Sequence, residues 1–120
     1  MQKHARVAQA AQNMHGVPAS ILLASAILDS NSGTSLLAKV YNNHFNSLCT
    51  HIVHGSECVE YDGRRYYRYN SIYYTYDYQA KYLSIRWMPT RDVEIWAERL
   101  GKKYDMMRII NRYNLRSFDR

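Results

Sequence analysis

The sequence is short of cysteine, proline and glycine, with two, two and five residues among 120. Two cysteines exclude a miniprotein held by a dense disulfide framework. So little proline and glycine excludes a collagen-like or linker-like chain, and no internal repeat is present. Long hydrophobic runs are also missing. The longest purely apolar stretch is Ile21 to Ala24, far below the roughly 20 residues a membrane-spanning helix needs. Nor does the start read as a secretory leader, since Met1-Gln2-Lys3 is followed by polar Gln9, Gln12 and Asn13. Acidic residues are scarce in one half: residues 64–120 hold thirteen Lys and Arg against six Asp and Glu. Residues 1–63 hold three positives (Lys3, Arg6, Lys39) against four negatives.

What is there is ordinary globular material, 47% hydrophobic and 22% charged, which excludes wholesale disorder. The length fits one domain over residues 1–120. Twelve tyrosines stand out. A basic half rich in aromatics suits an anionic or sugar-rich polymer, and a merely solvated basic surface has the same composition.

Periodicity predicts a mostly helical chain with one small β lobe. Val7, Ala8, Ala11 and Met14 place a first helix over residues 4–14, ended by Gly16. Pro18 suits the start of a second helix, Ala19 to Ser30, whose Ile21, Leu22, Leu23, Ile27 and Leu28 wrap most of its circumference. Such a helix is a buried central one. A short helix over Thr34 to Tyr41 follows. Ile52-Val53 and Cys58 to Tyr61 are β-type runs, and Asp62-Gly63 is a hairpin signal before Arg64 to Tyr69. Ser71 to Arg86 reads as a helix, although Tyr73, Tyr74, Tyr76 and Tyr78 also alternate as in a strand. Two last helices are expected over Arg91 to Leu100 and Tyr104 to Tyr113.

Asp29 is the most informative residue, a carboxylate at the end of an otherwise apolar helix. Burial and the negative end of the helix dipole both disfavour its charge there. A carboxyl kept protonated near neutral pH is what a general acid needs. A helix-ending Asp that caps Ser30 to Gly33, or faces water, explains the same pattern.

The blocks Gly16-Val17-Pro18-Ala19-Ser20, Ala26-Ile27-Leu28-Asp29-Ser30, Gly33-Thr34-Ser35 and Tyr41-Asn42-Asn43-His44-Phe45 resemble the start of the bacterial glucosaminidase family of flagellar and autolysin-type peptidoglycan hydrolases. The resemblance continues through Glu60-Tyr61, Tyr66, Tyr69-Asn70-Ser71 and Asp77-Tyr78. It ends with Trp96-Ala97 and Tyr113-Asn114-Leu115 to Asp119, and so spans about residues 12–119. It implies an α+β, mostly helical, lysozyme-like fold with a β-hairpin lobe over the cleft. The implied activity is hydrolysis of the β-1,4 bond after N-acetylglucosamine in peptidoglycan, without a cofactor or metal. Asp29 falls at the family's catalytic acid and Glu60 at the second carboxylate, which activates water. Tyr61, Tyr66, Tyr69, Tyr78, Asn43 and His44 are the residues expected to line or support the glycan site. Peptidoglycan strands are the expected partner, and the cell envelope, periplasm, exterior or a phage particle the expected location.

The chain departs from the family in two places. Asp29 stands where the family has Glu, which withdraws the proton by about 1.5 Å. A family segment, Ala-Gly-Tyr-Ala-Thr-Asp-Pro, is replaced by the direct run Leu100-Gly101-Lys102-Lys103-Tyr104. The alternative is therefore an inactive glycan-binding or structural module that keeps the fold without turnover.

Other signals carry competing readings. The tyrosine tract from Tyr66 to Tyr78 suits sugar stacking or a mixture of core and surface. Interleaved with Arg64, Arg65 and Arg68 it also suits nucleobases, a reading the resemblance sets behind glycan. Cys49 and Cys58 suit a disulfide in an exported protein, or free thiols. With His51 and His54 they are also four soft metal ligands, at a spacing unlike the usual zinc patterns.

Overall fold

The computed structural model describes residues 2–50 and 55–120. Among the described residues are six helices, α1 (Gln2–His15), α2 (Ala19–Asp29), α3 (Leu36–Tyr41), α4 (Ile72–Arg86), α5 (Val93–Arg99) and α6 (Lys103–Arg112), and a hairpin of β1 (Ser56–Tyr61) and β2 (Arg64–Tyr69) that packs against α3 and α4. A 3₁₀ turn over Leu115–Phe118, not anticipated from the sequence, closes the chain. Residues 51–54, which include the run Ile52-Val53 and both His51 and His54, lie outside the described residues.

The central helix is α2, as its composition predicts: every residue from Ala19 to Ala26 is buried. Its neighbours α1, α5, α6 and the 3₁₀ turn press Ala8, Trp96, Met106, Ile110 and Leu115 into one core with Ile21 and Leu22. Polar clasps fix both ends of this packing. At the N-terminus of α2, Asp119 accepts hydrogen bonds from the Ser20 N–H (2.7 Å) and the Ser20 hydroxyl (2.6 Å). Gln12 accepts from the Ala19 N–H at 2.6 Å and donates to the Arg120 carbonyl at 2.9 Å. At the C-terminus, Asn31, Ser32 and Gly33 take left-handed backbone angles (φ 51°, 59° and 81°), so the chain reverses sharply beside Asp29.

The alternation of tyrosines over residues 73–78 resolves as helix. Tyr76, Ala80 and Leu83 of α4 are buried, while Tyr73 and Tyr82 face water. His15 and Asp77 meet at 2.7 Å and tie α4 to α1.

The hairpin pairs in register from Ser56↔Tyr69 to Tyr61↔Arg64. Its two-residue turn has φ 51° at Asp62 and 78° at Gly63, a type I′ geometry that matches strand twist. Gly55, at the hairpin's other end, has φ 78°, and an added Cβ would stand 2.6 Å from the Tyr74 ring. That position needs glycine on both counts.

Candidate functional site

Asp29 is the one charged residue of α2 and sits at its last position. Its side chain is 17% exposed, so burial is substantial. It is not, however, the unpaired buried carboxyl expected from the sequence. Lys102 donates to Asp29 Oδ1 at 2.7 Å, and the Ser25 hydroxyl donates to Oδ2 at 3.3 Å. Lys102 comes from the tight α5–α6 connection. The sequence shows how short this run is but not that it delivers an ammonium to Asp29. Nothing in the local pattern distinguishes Lys102 from its neighbour Lys103; only the turn at Gly101 (φ 73°) decides which one faces α2.

The loop after α3 links Asp29 to the hairpin. Asn46 donates through its side chain to the Asp29 carbonyl at 3.0 Å. Asn43 donates to the carbonyls of Ser47 (3.0 Å) and Tyr67 (2.9 Å) and accepts from the Ser47 N–H (3.0 Å). Asn42, left-handed at φ 54°, donates to the Tyr69 carbonyl at 3.0 Å. The edge of β2 is extended by Cys49 N–H to the Arg65 carbonyl and Tyr67 N–H to the Ser47 carbonyl. Cys49 and Cys58 are joined as a disulfide, with Cα atoms 5.7 Å apart, which fastens this loop to β1. Among the described residues no cluster of three metal ligands forms.

Register divides the hairpin residues between two faces, because side chains alternate along a strand. Cys58 and Glu60 share a face with Arg65, Tyr67 and Tyr69; Val59 and Tyr61 share the other with Arg64, Tyr66 and Arg68. Tyr67 and Tyr69 are buried against α4, where Tyr78 lies 4.9 Å and 6.2 Å from their ring centres. Glu60 is therefore on the face turned to the helical body, exposed near the open tip. Tyr61 and Tyr66 pack together on the other face, ring centres 6.3 Å apart.

The expected glycan-lining residues thus separate. Tyr61 and Tyr66 are accessible and form an aromatic patch. Tyr78 is half-buried, and burial before all else pushes its hydroxyl up to about 12. Asn43 and Tyr69 were expected among the contact residues but are 0% and 2% exposed. Asn43 spends its amide on the backbone, and the Tyr69 phenol is held neutral by burial. Both support the lobe from inside. His44 is 6% exposed, with its ring edge against His4 at 5.0 Å, and lies on a different side of α2 from Asp29.

The sequence model of the family described as mannosyl-glycoprotein endo-beta-N-acetylglucosaminidase, the glucosaminidase family, matches residues 5–115. The chain belongs to the glucosaminidase family. A solved structure shares its fold. The crystal structure of the catalytic domain of the autolysin Auto from Listeria monocytogenes superposes with a TM-score of 0.71 at 19% identity, covering 98% of this chain and 84% of that one. Among curated proteins none matches this sequence. For this glucosaminidase domain the lysozyme-like fold, mostly helical with a two-stranded lobe, stands as expected. No described helix is long and apolar enough to cross a membrane.

Proposed function

We propose that this glucosaminidase-family chain binds the glycan strands of peptidoglycan between the end of α2 and the hairpin. The reaction of the site is hydrolysis of the β-1,4 bond after N-acetylglucosamine. Asp29 gives its proton to the glycosidic oxygen as the C–O bond breaks. Glu60 takes a proton from the water that attacks the anomeric carbon. The observation that carries this reading is the position of Asp29, the single charge on a buried apolar helix, joined by one loop to a lobe bearing Glu60. The family's description as an endo-beta-N-acetylglucosaminidase and the autolysin's name support the bond and the wall as substrate. Its place of action is then the cell envelope, the exterior, or a phage particle that meets the wall.

A second reading rests on Lys102. With Lys102 bonded to it, Asp29 Oδ1 is not free to meet a glycosidic oxygen, so the arrangement binds glycan without cleaving it while Lys102 stays. Lys102 is half exposed and on a surface turn, so the pair is able to open.

Sedimentation with insoluble peptidoglycan and release of reducing ends, measured together on wild type, Asp29→Asn and Asp29→Glu, test both readings. Binding with reducing-end release that Asp29→Asn abolishes supports the hydrolase. Binding without release supports the second reading. No binding to peptidoglycan overturns both.

A further inference from the structure

The hairpin has a face that the Asp29 site does not use. The stretch 47–49 adds to the edge of β2, where Leu48 stands opposite Tyr66, and Tyr66 stands opposite Val59. Residues opposite each other in antiparallel pairing share a face, so Leu48, Tyr66 and Val59 make one row across three paired segments. Tyr61 packs its ring against Tyr66 from the next row, centres 6.3 Å apart. Arg64, opposite Tyr61, and Arg68, opposite Glu57, flank the row. Tyr67 and Tyr69 alternate with these residues and are buried against Tyr78 of α4, so the row is turned away from the helical body.

Leu48 and Tyr61 are 47% and 39% exposed, and Val59 and Tyr66 are half-buried. Apolar side chains exposed singly are ordinary, but four brought together on one sheet face form a contiguous patch of the kind that marks a binding surface. The charges around it are few and mixed. Arg68 is held at 3.2 Å by Glu57, so the three charged side chains Glu57, Arg64 and Arg68 sum to a single positive charge.

We propose that this outer face of the hairpin binds a second glycan strand of the wall, beside the strand that passes Asp29. The proposal rests on glycan as the ligand of this chain and adds a second place for it. Tyrosine rings offer flat apolar faces to the C–H faces of pyranose rings, while their hydroxyls reach sugar oxygens. A nucleic-acid strand needs a cation for each phosphate it neutralises, and this face has little charge to give. A neutral sugar needs donors and acceptors together, which two guanidinium groups, a carboxylate and two phenols supply. Alternation along β1 then excludes the strand being cut. Glu60 points to the helical body, while Val59 and Tyr61 on either side of it point away. A strand lying against Asp29 and Glu60 is out of reach of the row, so the row holds another. Two points of attachment keep the chain on the wall when either strand is released.

The test is titration of the full chain with the tetramer of N-acetylglucosamine, read by calorimetry for stoichiometry and by NMR for location. Methyl signals of Leu48 and Val59 report the outer face. The side-chain amide of Asn46, bonded to the Asp29 carbonyl, reports the other site. Two tetramers per chain are expected, with saturable shifts at both places. Tyr61→Ala should weaken the outer-face shifts about tenfold. Leu48→Ser, at the other end of the row, should weaken them by about threefold or more and leave the Asn46 shift as in wild type. It also covers the case that Tyr61→Ala fails to fold, which the amide spectrum shows. One tetramer per chain with shifts at Asn46 alone overturns the second strand and keeps the glycan reading. Shifts at the two methyl groups alone support the outer face and overturn the Asp29 reading. Silence at both places overturns both. Folded variants that bind as wild type does overturn the proposal, and so does equal or tighter binding of oligothymidylate at the same methyl groups.

Discussion

Lys102 Nζ lies 2.7 Å from Asp29 Oδ1 and joins the α5–α6 turn to the end of the central helix, 73 residues away in sequence. The pair places a cation on the carboxyl proposed as the acid. Replacing Lys102 by Met keeps the length of the side chain and removes the charge. Asp29 Oδ1 is then free to meet a glycosidic oxygen. We expect Lys102→Met to raise reducing-end release from peptidoglycan about tenfold or more. Glycan binding should stay within about threefold of wild type. Stability should fall by less than about 1 kcal/mol, because Lys102 is half exposed. Unchanged or lower release with intact binding would show that Lys102 does not hold the site back.

Reach is a separate variable from charge. Asp29→Glu adds one methylene and advances the carboxyl by about 1.5 Å. Misplacement of a reacting group by about 1 Å can cost ~100-fold in rate. Combined with Lys102→Met, the longer acid should raise the turnover rate by about 10–100-fold over Lys102→Met alone, with KM little changed. Asp29→Asn in the same background should abolish release. If the Glu and Asn variants behave alike, Asp29 is not the proton donor.

Much of the fold was legible because its strongest signals are local. The mostly apolar α2, the Asp62-Gly63 turn and the stop at Gly16 each follow from a few adjacent residues, and all three stand in the structure. The tyrosine-rich α4 was ambiguous in sequence. The packing of Tyr76 and Ala80 against α1 and α2, a tertiary effect, resolves it as helix. The site was less legible. Asp29 and Glu60 could be named from the resemblance, but Lys102 reaches Asp29 only through a turn whose direction no local pattern specifies. Asn43 and Tyr69 show the reverse difficulty. Their residue types suit sugar contact, while register and backbone hydrogen bonding place them inside.

The disulfide between Cys49 and Cys58 closes a nine-residue separation and anchors the lobe to the loop that reaches Asp29. Loop-closure entropy for so short a ring gives about 2–3 kcal/mol. Cys49→Ser with Cys58→Ser should lower unfolding free energy by that amount in urea titrations. Because α2 and its core do not depend on the bridge, the far-ultraviolet helix signal should persist. A loss under about 0.5 kcal/mol would mean the bridge contributes little to the folded chain's stability.

His44 gives the protein a pH dependence with a definite sign. Burial, followed by the neighbouring His4, pushes its pKa down to about 4. In the unfolded chain it titrates near the ordinary value of about 6.5. Between these values the unfolded state binds the extra proton, so stability falls as pH drops through that window and is level above it. The full shift corresponds to about 3 kcal/mol as an upper figure. His4, lowered mainly by burial, acts in the same direction. His44→Gln should flatten the decline between pH 6.5 and 4 in denaturant titrations. An unchanged slope would assign the acid sensitivity to other groups.

Asp119 supports the site from the far end of the same helix. Its carboxylate accepts from the Ser20 N–H at 2.7 Å and the Ser20 hydroxyl at 2.6 Å, where the first turn of α2 leaves its amides without partners. The side chain thus does from 99 residues away what an N-cap does locally, since Pro18 at the cap position offers no side-chain hydrogen bond. Removing it strands a buried N–H and a buried hydroxyl and withdraws a negative charge from the positive end of the helix dipole. Asp119→Ala should therefore cost about 2–3 kcal/mol and lower the thermal midpoint by roughly 8–12 °C. Asp119→Asn separates the two contributions, because the amide oxygen can still accept from Ser20 while the charge is gone. It should retain more than half of the stability lost in Asp119→Ala, and the remaining deficit should shrink with added salt as expected for a charge–dipole term. If Asn and Ala cost the same, the hydrogen bonds are not what holds the chain end onto α2. If Asn costs nothing, the charge contributes nothing.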